Sequence, residues 1–428
     1  MSIYKIAVIH RRFLPAFFLF LFSSCAFLKG TLGLGETATA VLWTDRPEFA
    51  LYAENFNTSQ DRYKIEVRYF ESPAQKLTDT KEYPDIVAGS WLKSASTRTL
   101  FRPLDNFFRD RSVDPGAFYS QLLALGRIED KQYLFPVSFN IPALAFSREN
   151  SRLLSSLFVV GLEEIKSLGK EYNFETNGSF SRMGFSPAWN NEFLFVTATL
   201  FNTSFREASP LAWDSQALDQ AVLYIREWIQ EVNAGIEAED DFVFKYFYDP
   251  PSKLAIAGRI LFTYMDSSEF FTLSEEQRSS LDFRWIAEHD TISLSEDATY
   301  LGICKAGKAK KASRAFTQWF FREETQRNFM EKSKANRLNE TLFGIANGFS
   351  ALRTVTEQVF PQYYPGLLGH MPPETFLAPP NILPRNWTAL KEKVILPYLH
   401  DRIRSPTGKE VRSLERILAD WLRVNMGS

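Results

Sequence analysis

The stretch from Leu134 to Asn150, LFPVSFNIPALAFSREN, constrains the fold more than any other part of the chain. Phe135, Val137, Phe139 and Ile141 alternate with Pro136, Ser138, Asn140 and Pro142, the period of two of a half-buried strand. A second apolar run, Ala143 to Phe146, follows without a gap. Pro136 and Pro142 each lack the N–H that a strand ladder needs, so a uniform central strand is disfavoured. Two arrangements fit. The segment leaves one sheet and crosses into a second, joining two lobes, or it is a prolyl edge strand of one large domain.

Each side of this stretch carries its own α/β pattern. On the N-terminal side, Ala40 to Trp43 reads as a strand and Pro47 to Asn57 as a helix, with Phe49, Tyr52, Ala53 and Phe56 at helical spacing. Ile65 to Tyr69, a short helix near Pro73 to Lys81 and Asp85 to Gly89 complete a β-α-β-α-β order, which predicts a parallel sheet covered by helices. Ligands in such sheets sit beyond the carboxyl ends of the strands. Those ends carry Thr44-Asp45-Arg46 and Gly89-Ser90-Trp91. On the C-terminal side, Leu218, Ala221, Val222, Ile225, Trp228, Ile229 and Val232 mark an amphipathic helix that Asp214 or Ser215 can cap. Strands follow at Ile260–Tyr264, Phe283–Ile286 and Tyr300–Cys304, then a long helix over Lys308–Lys332. The tail reads as helical at Phe349–Tyr363, Trp387–Leu399 and Ser413–Asn425.

The first 24 residues are a separate object. Lys5, Arg11 and Arg12 precede a short apolar run, Phe13 to Phe22, and then Ser23-Ser24-Cys25. A basic start, a short apolar core and small residues predict an export signal, too short for a comfortable membrane span. A cysteine after two small residues resembles the bacterial lipoprotein box, which implies cleavage before Cys25 and its lipidation. A plain signal peptide with an incidental cysteine is the alternative. Cleavage removes the three basic residues and takes the net charge from −2 to −5. Cys304 then remains as the one free thiol, and residues 25–37 serve as a flexible tether. With 428 residues, 45% of them apolar and 39 of them Phe, the chain can fill two large cores. The net charge gives no case for a nucleic-acid partner.

In order and spacing, the chain resembles the extracellular solute-binding proteins of ABC importers, in the sugar-binding group that includes the maltose-binding protein. The matching pieces are Trp43-Thr44-Asp45 before a helix, Pro84-Asp85-Ile86-Val87, Leu134-Phe135-Pro136-Val137, the Ala315–Phe320 helix with Thr325-Gln326, and Asn386-Trp387 leading into Val394–Tyr398. The resemblance implies an α/β, two-lobed periplasmic-binding-protein fold, with a ligand cleft between the lobes and a helical C-terminal region. Lobe one would hold 38–140 plus 290–338, and lobe two 144–288 plus 345–428, with crossings near 138–146, 286–295 and 338–346. It also implies an exported monomer at the periplasmic face of the membrane or the cell surface. Such a receptor has no cofactor or metal, delivers its ligand to an ABC permease and does no chemistry.

A sugar pocket needs aromatic plates for ring faces and planar polar groups for hydroxyls. The candidates are Asp45, Arg46, Ser90 and Trp91 from lobe one, and Trp189, Asn190, Tyr264 and Asp266 from lobe two. Trp387 matches a tryptophan that stacks on sugar in the family. Each has a plainer role to set beside it: a helix cap for Asp45, a rim position for Trp91, a helix-start turn for Trp189-Asn190, a helix core for Trp387. Ser138 and Asn140 could contact ligand or merely satisfy the crossover backbone. Two other functions are weighed. A surface lipoprotein could keep the fold for adhesion or scaffolding, and a glycoside hydrolase would draw its pair from carboxylates such as Asp45, Glu48, Asp266, Glu269, Glu296 and Asp297. The four histidines stand at no metal-ligand spacing, and no HExxH or GxSxG motif is present.

Overall fold

A computed structural model describes residues 38–209, 211–405 and 411–425. The expected signal segment 1–24, Cys25 and the tether 25–37 lie outside the described residues. Among the described residues no helix is long and apolar enough to cross a membrane.

The N-terminal half opens with β1 (Ala38–Thr44), α1 (Glu48–Ser59), β2 (Tyr63–Tyr69) and β3 (Ile86–Gly89). β1 pairs in parallel with both β2 and β3, as the β-α-β order predicts. The organising stretch then splits into β4 (Phe135–Phe139) and β5 (Pro142–Ser147). β4 lies inside a six-stranded sheet, while β5 lies between β7 (Phe262–Asp266) and β8 (Leu281–Ile286) in a four-stranded sheet that β6 (Val159–Val160) completes. The segment is therefore a crossover, and neither half is an edge strand. The prolines are tolerated because they stand where one ladder ends and the next begins: Pro136 lies at a register shift and Pro142 opens β5.

Asn140 and Ile141 make the crossing, and the Asn140 side chain is spent inside the protein. Asn140 Nδ2 donates to Asn347 O at 2.9 Å, and Asn140 Oδ1 accepts from Ser267 Oγ at 2.7 Å. Ser138 Oγ donates to Ala346 O at 3.2 Å. Both side chains thus take the plainer of their two roles and hold the backbone.

The first sheet is finished by β9 (Thr299–Ile303), antiparallel to β3 and β4, and by β10 (Phe349–Ser350) at its edge. β10 corrects the expected boundary, which gives residues from 345 onward to lobe two. Its two residues pair with β4, and Phe349 packs its ring against Phe139 of the first sheet and Trp285 of the second. Phe343, Phe360 and Tyr364 join the same seam of rings. The third crossing accordingly comes later, after Leu377–Ala378 has paired with Ile292–Ser293 beside the second crossing. The buried residues from Leu383 to Leu418 among those described pack in lobe two.

Lobe two adds α2 (Asn191–Leu200), α3 (Ser215–Val232), α4 (Ile236–Lys245) and α5 (Ser267–Thr272). Asp214 caps α3 by accepting from Ala217 N at 3.0 Å. The expected long helix over 308–332 is two helices, α6 (Lys310–Phe320) and α7 (Glu323–Ala335), because Phe321 turns inward against Phe118 and Phe135. The excess of Phe is explained by packing of this kind: Phe49 stacks on Phe320 at 5.4 Å, and Phe56 meets Phe316 edge-on at 5.4 Å. The C-terminal helices α8 (Trp387–Leu390), α9 (Leu396–Arg404) and α10 (Leu414–Asn425) cover α2 and α3.

Candidate functional site

The carboxyl ends of β1 and β3 open onto a cavity of about 640 Å³ between the two lobes. The lobe-one wall is a connected network. Asp45 Oδ2 accepts from Ser90 N at 3.0 Å, which ties the end of β1 to the end of β3. Gly89 permits this approach, since a Cβ there would stand 2.8 Å from Asp45 Oδ1. Arg46 donates to Thr299 Oγ1 at 3.0 Å, to Ser90 Oγ at 3.1 Å, and to both the carbonyl and the carboxylate of Asp297 at 2.9 Å. Burial pulls the Arg46 pKa down, but Asp297 and Asp45 outweigh it and hold the guanidinium above its ordinary value. Burial pushes the Asp45 carboxyl up, against the pull of Arg46.

Trp91 projects from this wall. Its backbone sits at φ 62, in the left-handed region that a tryptophan rarely occupies, at a cost of about 1–3 kcal/mol. Its indole Nε1 donates to Thr388 Oγ1 of α8 at 3.1 Å, so the ring spans from lobe one to lobe two. A second span is close by, where Ala95 N donates to Glu207 Oε2 at 2.7 Å.

The lobe-two wall is built from the end of β7, the start of α2 and the turn after α8. Tyr264 and Asp266 line the cavity as expected. Asp266 also caps α5: its Oδ1 accepts from Glu269 N at 2.8 Å, and Glu269 Oε2 accepts from Asp266 N at 3.0 Å. Burial raises both carboxyls. Lys391 is clamped between Glu192 and Glu296, and its ammonium lies over the Phe195 ring at 4.2 Å. Burial lowers the Lys391 pKa, but Glu296 and Glu192 together carry it above its ordinary value.

Of the nine residues named from the sequence, Asp45, Arg46, Ser90, Trp91, Tyr264 and Asp266 meet in this cleft. The other three do not. Trp387 is fully buried, with Phe195 and Phe205 packed on it at 5.8 Å each, and those two rings line the cleft in front of it. Its indole Nε1 reaches Glu296 Oε1 at 3.3 Å from behind the wall. Trp189 lies nearly parallel to Phe242 at 5.6 Å and faces a different cavity. Asn190 is spent as the cap of α2, accepting from Glu192 N and Phe193 N at 2.8 and 3.1 Å.

Sequence reading missed Glu192, Phe195, Phe205 and Lys391. Glu192 adjoins the Trp189-Asn190-Asn191 turn and could have been found there. The two phenylalanines look like core residues in an apolar run, and nothing in the sequence marks Lys391 as buried.

The sequence profile of the bacterial extracellular solute-binding proteins matches residues 52–336, more than half of the chain. No curated protein sequence matches. Among solved structures the chain is similar to an ABC substrate-binding protein from Listeria monocytogenes in complex with cycloalternan. The TM-score is 0.60 at 13% identity, covering 92% of this chain and 100% of that one. It is also similar to the cyclic alpha-maltosyl-1,6-maltose binding protein from Arthrobacter globiformis, with TM-score 0.59, 14% identity and coverage of 90% and 96%. The maltose-maltodextrin binding protein of Alicyclobacillus acidocaldarius gives TM-score 0.55, 14% identity and coverage of 90% and 99%. At such identities the likeness carries the fold, two α/β lobes around a cleft, and the profile carries the family: the chain belongs to the bacterial extracellular solute-binding proteins.

Proposed function

We propose that the protein is an exported, lipid-anchored receptor that captures an oligosaccharide in the interlobe cleft and hands it to an ABC permease. The observation that carries this reading is the make-up of the cleft. The lining brings the aromatic residues Trp91, Tyr264, Phe195 and Phe205 together with the planar acceptors and donors of Asp45, Asp266, Glu269, Asn202 and Asn381. That is the combination that apolar sugar faces edged with hydroxyls require. The similar structures, one in complex with cycloalternan and one a maltose-maltodextrin binding protein, support the same class. Capture follows from the three crossings, about which two rigid lobes can close. Aromatic stacking supplies affinity, and the buried carboxylates supply selectivity, because a ligand that leaves them unpaired is rejected. No covalent step is assigned to any residue, and the receptor acts as a monomer. Lipidation of Cys25 holds it at the membrane beside its permease.

The test is a thermal-shift and calorimetric screen against mono- and oligosaccharides, polyols and amino acids. A ligand at a hundred times its Kd should stabilise the protein by about 2.7 kcal/mol. Binding only to non-sugars would keep the fold and overturn the cargo. The anchor is tested separately, by intact mass and by membrane release of the Cys25→Ser variant.

A further inference from the structure

Lobe two contains a second cavity, of about 400 Å³, between the start of α2, α4 and the outer side of β7. Tyr264 lines both this cavity and the cleft. The wall is largely aromatic: Phe185, Trp189, Phe242, Tyr246 and Phe247. Phe247 is 71% exposed and its neighbour Tyr248 is 94% exposed, which leaves bare rings at one end of the wall.

Two polar groups in this wall have no partner among the described residues. One is the indole N–H of Trp189. The other is Oε2 of Glu239, a residue only 1% exposed. Its second oxygen, Oε1, accepts from Asn233 Nδ2 at 2.6 Å, which fixes the carboxylate in place. The cavity's other carboxylates are already paired, Asp240 with Arg404 and Asp249 with Lys253. Glu239 is therefore the one cavity carboxylate without an ion pair among the described residues. A buried acid with a free lone pair is costly unless something donates to it, and aromatic faces favour a cation beside them.

We propose that this cavity binds a small organic amine with an apolar or aromatic body, the ammonium on Glu239 Oε2 and the body against Phe242, Tyr246 and Phe247. The volume suits one small molecule rather than a sugar chain. The inference does not depend on what the cleft carries.

The probe is benzylamine, with benzyl alcohol as its neutral counterpart. Binding is followed on the isotope-labelled mature chain through the Trp189 indole N–H signal, assigned with Trp189→Phe. Benzylamine is expected to move this signal to saturation and to bind about tenfold tighter than benzyl alcohol. Glu239→Gln keeps an acceptor for Asn233 and removes the charge, so it should cost about tenfold in benzylamine affinity and leave benzyl alcohol unchanged. Should that variant lose its native spectrum, Val243→Trp at a half-exposed lining position fills the cavity with Glu239 in place and should abolish binding of both probes. Equal affinity for amine and alcohol, or an unmoved Trp189 signal, would overturn the proposal. So would amine binding that survives Val243→Trp, or that is lost with Glu269→Gln in the cleft instead of Glu239→Gln.

Discussion

The cleft and the lobe-two cavity share Tyr264 and treat charge in different ways. In the cleft, Arg46 is held by Asp297 and Lys391 by two glutamates, so the cations are neutralised before any ligand arrives, and Asp45, Asp266 and Glu269 accept from backbone N–H groups. In the second cavity Glu239 is buried without an ion pair among the described residues, while Asp240 and Asp249 are ion-paired. A wall whose cations are paired and whose carboxylates are held by the backbone presents fixed hydrogen-bonding groups to a neutral, hydroxyl-rich molecule. A wall that leaves one ion bare selects for the opposite charge. The contrast predicts that deleting a charge destabilises the protein at the first site and stabilises it at the second.

The largest effect should come from Lys391→Met. Methionine keeps the apolar stem over Phe195 and removes the ammonium, leaving two carboxylates facing each other. Breaking a buried ion pair from one side costs about 3–5 kcal/mol. Glu192 is 47% exposed and water can screen it, so most of the loss belongs to Glu296, at 13%. The low end, about 3 kcal/mol, is expected in chemical denaturation at neutral pH. A loss below about 1 kcal/mol would show that the clamp is ornamental and the contrast with Glu239 unfounded.

Glu239→Gln should act in the other direction and depend on pH. Burial pushes the Glu239 carboxyl up to about 7 from its ordinary 4.5; Asp240 pushes the same way, while the Asn233 hydrogen bond and the charge of Arg404 oppose it. Below the ordinary value the acid is protonated in folded and unfolded chains alike, and nothing is lost. Between 4.5 and 7 the unfolded chain ionises first. Stability then falls as pH rises, and the full penalty stands above 7. The variant should therefore be more stable than the parent by about 2–3 kcal/mol at pH 8 and equal to it near pH 4. A stabilisation that does not change with pH would mean that the carboxyl is not titrating in this range.

How much of this could be read from the chain depends on what each residue advertises. The crossover was half legible: period-two apolar residues and two prolines disfavour one uniform strand, but they fit a prolyl edge strand as well as a crossing between lobes. Asp45, Arg46, Ser90 and Trp91 were legible because they follow parallel strands, and strand ends are where such sheets bind ligands. The tryptophans of lobe two were not. Trp387 sits on a helix with an apolar face, and sequence alone does not say whether a ring on that face meets ligand or core. Trp189 stands at the right turn but stacks on Phe242, more than 50 residues away in the chain. Phe195 belongs to a mostly apolar helix, and its polar same-face neighbours Glu192 and Thr199 are too few to set the cleft side apart from the core side. β10 is two residues long, too short for any period, and its place follows only from the ring seam around Phe349.

Trp91→Ala tests the aromatic side of the cleft without touching its ion pairs. Removing the plate should weaken oligosaccharide binding about tenfold, close to the worth of one aromatic contact beyond its buried area. The ligand-free protein should melt unchanged or slightly higher, since the strained backbone at φ 62 suits alanine no worse than tryptophan. A large fall in melting temperature with affinity intact would make Trp91 a structural ring.

The smallest effect separates the ring from its hydrogen bond. Thr388→Val keeps the shape of the side chain opposite Trp91 and removes the acceptor for its indole N–H. With the lobes together, that N–H is left without its 3.1 Å partner, while with the lobes apart water can satisfy it. Losing one such bond is worth about 1 kcal/mol, so the ratio of closed to open molecules should fall about fivefold. Ala95 N and Glu207 still span the lobes in this variant, which keeps the shift graded rather than complete. Distances between spin labels at the exposed positions Glu66 of lobe one and Leu223 of lobe two would read it directly. A longer-distance population that grows in Thr388→Val and shrinks again when ligand is added identifies Trp91 as the latch of the cleft. An unchanged distribution would leave Trp91 with stacking alone and place closure in the aromatic seam around Phe349, whose rings bind the two sheets whether or not the cleft is filled.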